Sequence, residues 1–488
     1  MMEKIKSGVL AFLIILSMGL TYRLWFGAPP LEEGIKPKYE DAYFTAPLSL
    51  EEIIAPAEII FWKEEEKEKE HVFRRGEKEF VRLLAAGTSV LKRADKQILS
   101  RINDSEEEAL LKTASSKITF NFSPVLPLNF LVPGATALDV HRADIILEER
   151  YYHIILEGED KFAGRIFMNL NEQLLNNLVP QRSSLHHCLS GVLTLDLAEL
   201  TCRELQEKGR EIIPQGTGLP ADEAKKQGQA EGKISAVNPA KGNEKEETSF
   251  SLIVANNSKL FVPVEEMQAG EILLKKENVD KEQLVRAFFF DPSMARRIEE
   301  RDGAVFFTDG EKGLRIYPSG LVEYTAPKLE RVFTPVSYST ALQKGAEYLG
   351  LYGGWLPGIY LVRAEGQSEG YRLFWETFYE GLPIRGERVG CEMAINEQGV
   401  LFYQRNFYQF IEEVGARQAF RPFEEALCRA ALIYKKTFPG SEGILLGIEP
   451  VYYLSSGGKG TVKATPAWSV SISGMDTIYL HWQTLESL

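Results

Sequence analysis

His186, His187 and Cys188 stand side by side, with Cys202 further along the chain, and form the most metal-like grouping in the sequence. A structural zinc site wants paired ligands at short spacing, such as C-x2–4-C, twice over. This set supplies one side of such a pattern, so a surface or helix-end polar patch accounts for it. The two Asp-Gly pairs, Asp302-Gly303 and Asp309-Gly310, lack the D-x-D-x-D-G alternation of a calcium loop. They read as turns, because glycine supplies positive φ and aspartate tolerates the adjoining position. No G-x-S-x-G elbow, G-x-x-x-x-G-K-[ST] loop or H-E-x-x-H pair is present. Carboxylates at Glu64 to Glu66 and Glu106 to Glu108 lie in charge runs, where nothing would desolvate one and raise its pKa. A glycosidase-type pair assembled from distant positions stays open on sequence alone. The chemistry-bearing residues therefore point away from an enzyme, and no catalytic, cofactor-binding or metal residue is assigned.

What holds these residues is a chain of 488 residues with 56 basic and 69 acidic side chains, a net charge of −13. That balance argues against a nucleic-acid partner, which needs a concentrated basic surface. The N-terminus, MMEKIKSGVLAFLIILSMGLTYRLWFGAPP, places Lys4 and Lys6 before an apolar run from Ser7 to Phe26. About twenty helical residues span roughly 30 Å, enough to cross a bilayer. The lysines stay cytoplasmic by the positive-inside rule, Tyr22, Trp25 and Phe26 mark the outer interface, and the rest of the chain lies outside the cell. A cleaved signal would need small residues after a shorter core, and bulky Leu24, Trp25 and Phe26 oppose that. Within the span Ser17 and Thr21 share one face and Gly19 thins a neighbouring one, a pattern that suits close approach of a second helix as well as a plain anchor.

Period-2 runs broken by turn residues predict antiparallel sheets, and apolar spacings of three, four and seven over Phe80, Leu83, Leu84, Leu91, Ile98 and Leu99 predict a helix. The organisation expected is a cytoplasmic end (1–6), a transmembrane helix (7–26), a spacer (27–47), an N-terminal α+β domain (48–145), a strand-rich middle domain (146–335) and a C-terminal α+β domain (336–488). The middle holds a Gly-, Pro- and Lys/Glu-rich stretch, 207–248, expected to be a mobile insertion. From Ser337 onward a helix followed by antiparallel strands occurs twice, which suggests a duplicated module. Cys188, Cys202, Cys391 and Cys428 could form two bridges or remain buried thiols.

The stretch FFFDPSMARRIEERDGAVFFTDGEKGLRIYPSGLVEYTAP, residues 288–327, resembles the signature region of the YycH family, membrane-anchored regulators of the WalK (YycG) sensor histidine kinase. The resemblance runs through Asp291, Pro292, Ser293, Asp302, Gly303, Asp309, Gly310, Gly313 and Tyr324. The closing TPAWSVSISGMDTIYLHW is similar to the end of the YycH and YycI C-terminal domains, which are PepSY-like, through Pro466 and Trp468. The resemblance implies a non-enzymatic extracytoplasmic regulator at the membrane, with a WalK-type kinase and a YycI-like protein as partners. It also implies contact through the transmembrane helix, which favours the partner-helix reading of Ser17, Gly19 and Thr21. The competing reading is a cell-wall or polysaccharide-binding module on a plain anchor, which would use surface aromatics such as Trp355 or Trp375.

Overall fold

The computed structural model describes residues 54–63, 71–93, 99–131, 139–148, 151–167, 186–189, 192–196, 249–254, 260–263, 267–278, 280–327, 335–439, 441–454 and 460–488. Its class is mixed α+β with mostly antiparallel pairing. The expected membrane span 7–26, with Ser17, Gly19 and Thr21, lies outside the described residues. Among those described, no helix is long and apolar enough to cross a membrane.

The first sheet has seven strands: β1 (Glu58–Lys63), β2 (His71–Arg74), β3 (Ser100–Arg101), β4 (Ser116–Pro127), β5 (Asp139–Glu148), β6 (Tyr151–Glu157) and β7 (Lys161–Phe167), in the order β2-β1-β4-β5-β6-β7-β3. Helix α1 (Lys78–Leu91) buries Phe80, Leu83 and Leu91 of the expected face, with Leu84 half-buried and Val90 buried beside them. Gly87 on that face lets the Phe120 ring approach to where a Cβ would stand 2.1 Å from it. The described helix ends at Leu91, and the expected Ile98 lies outside the described residues.

The other face carries helix α2 (Asp104–Thr113), started by a capping box between Asn103 and Glu106. Beneath it, Arg142 contacts Glu107 at 2.5 Å, Glu157 at 2.7 Å and the buried Asp144 at 3.2 Å, while Lys161 reaches Asp104 and Glu107 at 2.7 Å each. Burial opposes ionisation of Glu107, but Lys161 and Arg142 outweigh it and hold its pKa below the usual carboxylate range. A carboxylate whose folded pKa is depressed stabilises the fold above its unfolded pKa and loses that contribution as pH falls through the folded value. Stability should therefore fall steeply on acidification below about pH 4, and Glu107→Gln should flatten that limb in denaturant titrations taken from pH 7 to pH 3. An unchanged acid limb would remove the network from the account.

The second sheet has sixteen strands. Short pieces β8 (His186–Leu189), β9 (Val192–Asp196), β10 (Ser249–Val254) and β11 (Leu260–Pro263) precede β12 (Gln268–Lys276); among the described strands β8 and β11 pair only with each other, apart from the large sheet. Helix α3 (Lys281–Phe288) leads to the meander β13 (Arg296–Glu299), β14 (Val305–Thr308), β15 (Gly313–Ile316) and β16 (Val322–Thr325). Helix α4 (Tyr338–Leu351) is followed by β17 (Ile359–Gly366), β18 (Gly370–Tyr379), β19 (Leu382–Gly386), β20 (Gly390–Asn396), β21 (Gly399–Asn406) and β22 (Tyr408–Ala419). Helix α5 (Phe423–Thr437), acidic in its first turn and basic in its last, is followed by β23 (Gly443–Leu454), β24 (Thr461–Ile472) and β25 (Ile478–His481). The main order is β13-β14-β15-β16-β21-β20-β18-β19-β23-β24-β12-β22.

The strand pairings run across the expected domain limits. The first sheet runs through β5 to Phe167, past residue 145, and the meander joins β21 of the supposed C-terminal domain through Val322↔Arg405. β12, from the supposed middle, sits between β24 and β22. Alternation marks a strand but carries no information about which sheet accepts it. The two helix-and-strand units are joined by parallel pairing of β19 with β23, Ile384↔Tyr452 to Gly386↔Leu454.

Candidate interaction surface

The signature residues first build turns. Asp291 Oδ1 accepts from Ser293 N at 3.0 Å and from Ser293 Oγ at 2.6 Å, with Pro292 opening a 3-10 turn. Asp302 accepts from Ala304 N at 2.9 Å, and Asp309 from Glu311 N at 3.0 Å and Lys312 N at 2.8 Å. Gly303 at φ +83 and Gly310 at φ +100 adopt the left-handed conformation the turns require. A Cβ on Gly313 would sit 2.8 Å from the Phe306 ring, so that glycine lets the ring lie flat on β15. Tyr324 is buried and stacks on Phe288 at 4.3 Å, and Phe288 stacks in turn on Tyr352 at 3.8 Å. Pro466 and Trp468 lie on β24; Trp468 is buried and donates from Nε1 to Arg421 O at 3.0 Å.

These turns fix the register, and the register sorts side chains by face. One face, with Leu314, Tyr324, Tyr403, Met393 and Trp375, belongs to the core that α3 and α4 close. The opposite face carries Phe306, Arg315, Glu323, Gln404, Glu392 and Phe374 in register from strand to strand. Phe80 of α1 meets this face at one end, edge-on to Tyr360 at 6.2 Å. Three guanidinium groups lie over three half-buried phenylalanines: Arg363 over Phe374 at 3.8 Å, Arg315 over Phe306 at 5.3 Å and Arg372 over Phe402 at 5.8 Å. Carboxylates alternate with them, through Arg315–Glu300 at 2.9 Å, Arg372–Glu392 at 3.0 Å and Arg388–Glu323 at 3.2 Å. Tyr317 donates to Glu323 at 2.7 Å, and burial together with that bond holds its phenol above the ordinary range. Arginine and aromatic side chains are the types over-represented in protein interfaces and their hot spots.

At the outer end of this face the chain exposes Phe290, Met294 and Ile298, the last two at 68% and 47%. The sequence gives no warning of the arginine–phenylalanine pairs, because their members come from five strands. The alternation in β18, where Arg372 and Phe374 point out while Leu373 and Trp375 point in, is the signal that locates one of them.

Other sequence candidates fall elsewhere. Trp375 is 1% exposed, and Trp355 packs against the main core, so neither offers a sugar platform. The backbone of His186 to Cys188 pairs with Val262, Phe261 and Pro263, while Cys202 lies outside the described residues. Cys391 and Cys428 carry thiols, and burial pushes the Cys391 thiol far above its ordinary range. Among the described residues no group of three or more His, Cys, Asp or Glu is placed to hold a metal.

Residues 3–173 match the family model described as YycH protein, N-terminal domain. The crystal structure of YycH from Bacillus subtilis is similar in fold, with TM-score 0.54 and 12% identity over 89% of this chain and 98% of that one. An uncharacterized protein from Eubacterium rectale matches at TM-score 0.31, with 12% identity over 48% of this chain and 92% of that one. The C-terminal domain of Bacillus megaterium YpeB matches at TM-score 0.25, with 11% identity over 43% and 96%. No curated protein matches the chain.

Proposed function

We propose, from the YycH-family assignment that the N-terminal family match and the shared fold support, that this chain is a non-enzymatic extracytoplasmic regulator of a WalK/YycG-type sensor histidine kinase. It would be held by one membrane helix over residues 7–26, with the N-terminus cytoplasmic, the remainder outside and a PepSY-like C-terminal part. Partners are the kinase and a YycI-like protein; no cofactor is assigned. The observation that supports this reading is the half-buried arginine–phenylalanine face, whose residue types are those favoured in protein interfaces. Regulation would proceed by population shift: binding one kinase conformation about 1.4 kcal/mol more tightly than another moves their ratio tenfold. Ser17, Gly19 and Thr21 would line the helix contact within the bilayer.

Single cysteines along residues 10–24, in a chain whose native four cysteines are replaced, test the helix contact by crosslinking to the kinase in cells. Crosslinks recurring every three to four positions around Ser17 and Thr21 are expected. Their absence in a functional chain would sink the helix contact and leave the ectodomain surface to carry regulation.

A further inference from the structure

The two ends of the large sheet are built differently. At one end β22 is blunted: its pairing with β12 shifts register twice, Gly415 sits at φ +80, and Arg417 pairs with Glu413 at 2.8 Å across the irregular stretch. Bulges and charges of this kind protect an edge from strand addition. At the other end β13 pairs with β14 in unbroken register, Arg296↔Thr308 to Glu299↔Val305, and has no second neighbour among the described strands. All four of its residues are exposed. The hairpin bond from Glu300 N to Ala304 O is 2.8 Å long. By the alternation of an antiparallel ladder, it sets the backbone groups of Arg297 and Glu299 pointing away from β14. Arg296 is exposed and has no ion-pair partner among the described residues, and Ile298 shares its face, opposite Phe306.

We infer that the β13 edge receives an extended segment of a partner polypeptide as an added antiparallel or parallel strand, with a carboxylate facing Arg296 and an apolar residue against Ile298 on the same face. Three features select this occupant. Outward N–H and C=O groups at Arg297 and Glu299 are satisfied in register by another extended backbone, the mode in which main-chain bonds give affinity and alternate side chains give specificity. The free guanidinium of Arg296 calls for a carboxylate. Met294 and Ile298 add exposed apolar surface beside the edge. The inference rests on the regulator reading, and it names the surface and the chemistry of the partner segment.

The test uses the full chain in lipid nanodiscs and a synthetic peptide of the repeat Glu-Thr-Val-Thr, which sets glutamate and valine in turn on one face of a strand, followed by fluorescence anisotropy. Saturable binding is expected, weakened at least tenfold when alternate peptide nitrogens are methylated, and weakened similarly when lysine replaces glutamate in the peptide. Arg297→Pro removes an outward N–H without touching the ladder to β14, a place where an edge strand tolerates proline, and should abolish binding. Should that variant not fold, Arg296→Glu reverses the peptide preference instead, while Phe410→Ser on β22 leaves binding unchanged. No binding, or binding indifferent to N-methylation or peptide charge, overturns strand addition. A reporter of kinase output in cells separates the two ideas: output that still responds to deletion of the chain keeps the regulator reading when the peptide result is negative. Output indifferent to deletion sinks that reading whatever the peptide does.

Discussion

Arg405→Ala should lower the unfolding free energy by about 3–5 kcal/mol, the range for removing one partner of a buried ion pair. Arg405 is 1% exposed and donates to Glu277 at 2.8 and 2.6 Å and to the carbonyls of Gly354 and Gly353 at 2.8 and 3.2 Å. It therefore ties three pieces of chain: β21, the end of α4, and the link from β12 to α3. Alanine leaves the Glu277 carboxylate in a nearly dry site and leaves two carbonyls without their donor. Gly353, at φ +120, belongs to the same arrangement, since a Cβ there would lie 2.6 Å from Arg405 Nε. Lysine should not rescue, because a point ammonium cannot reproduce the forked contact. The double variant Arg405→Met, Glu277→Leu should regain most of the loss, since it removes both charges together. Urea unfolding of the full chain in detergent reads all of these. A single-variant loss under about 1 kcal/mol would show that water reaches the pair and that it is not the buried tie described.

Trp468→Ala should cost a comparable amount, about 3–5 kcal/mol, as large buried aromatics do when truncated. Trp468 is 2% exposed, meets Phe420 edge-on at 5.5 Å and donates its indole N–H to Arg421 O. The bond secures the turn into α5, so the loss should fall on both the packing of the second unit and the docking of that helix. Trp468→Phe isolates the polar part, with an expected loss from the missing hydrogen bond of about 1 kcal/mol beyond the change in volume. Equal losses for alanine and phenylalanine would show that the bond, and not the packing, carries the effect.

Much of the fold was legible because local chemistry is repeated along the chain. The helix over Tyr338–Leu351, the strands from Ile359 to Asn406 and the second helix over Phe423–Thr437 follow from spacing and turn residues. The Asp-Gly pairs read as turns do form turns, each with an aspartate oxygen bound to backbone N–H groups. The sheet partners were not legible. β12 resembles any amphipathic strand, and nothing local announces that its neighbours are β22 and β24. β19 escaped because Leu382-Pro383-Ile384 is short and carries proline, yet it forms the parallel seam between the units. The arginine–phenylalanine face was missed for the same reason: Arg315, Phe402 and Arg372 become neighbours only when strand register is known.

The position of β12 has a consequence in time. A chain made N-terminus first delivers β12 while β22 and β24 are still unmade. Ile272 and Leu274, fully buried in the finished sheet, then have neither flanking strand to cover them. They stay uncovered until almost the last residues arrive, and an unpaired apolar strand in that interval is an aggregation hazard. A release of the chain cut anywhere between Asn406 and Thr461 would leave β12 without one or both partners. The sheet therefore closes only when synthesis is nearly complete, and incomplete chains should be cleared by proteolysis and not accumulate.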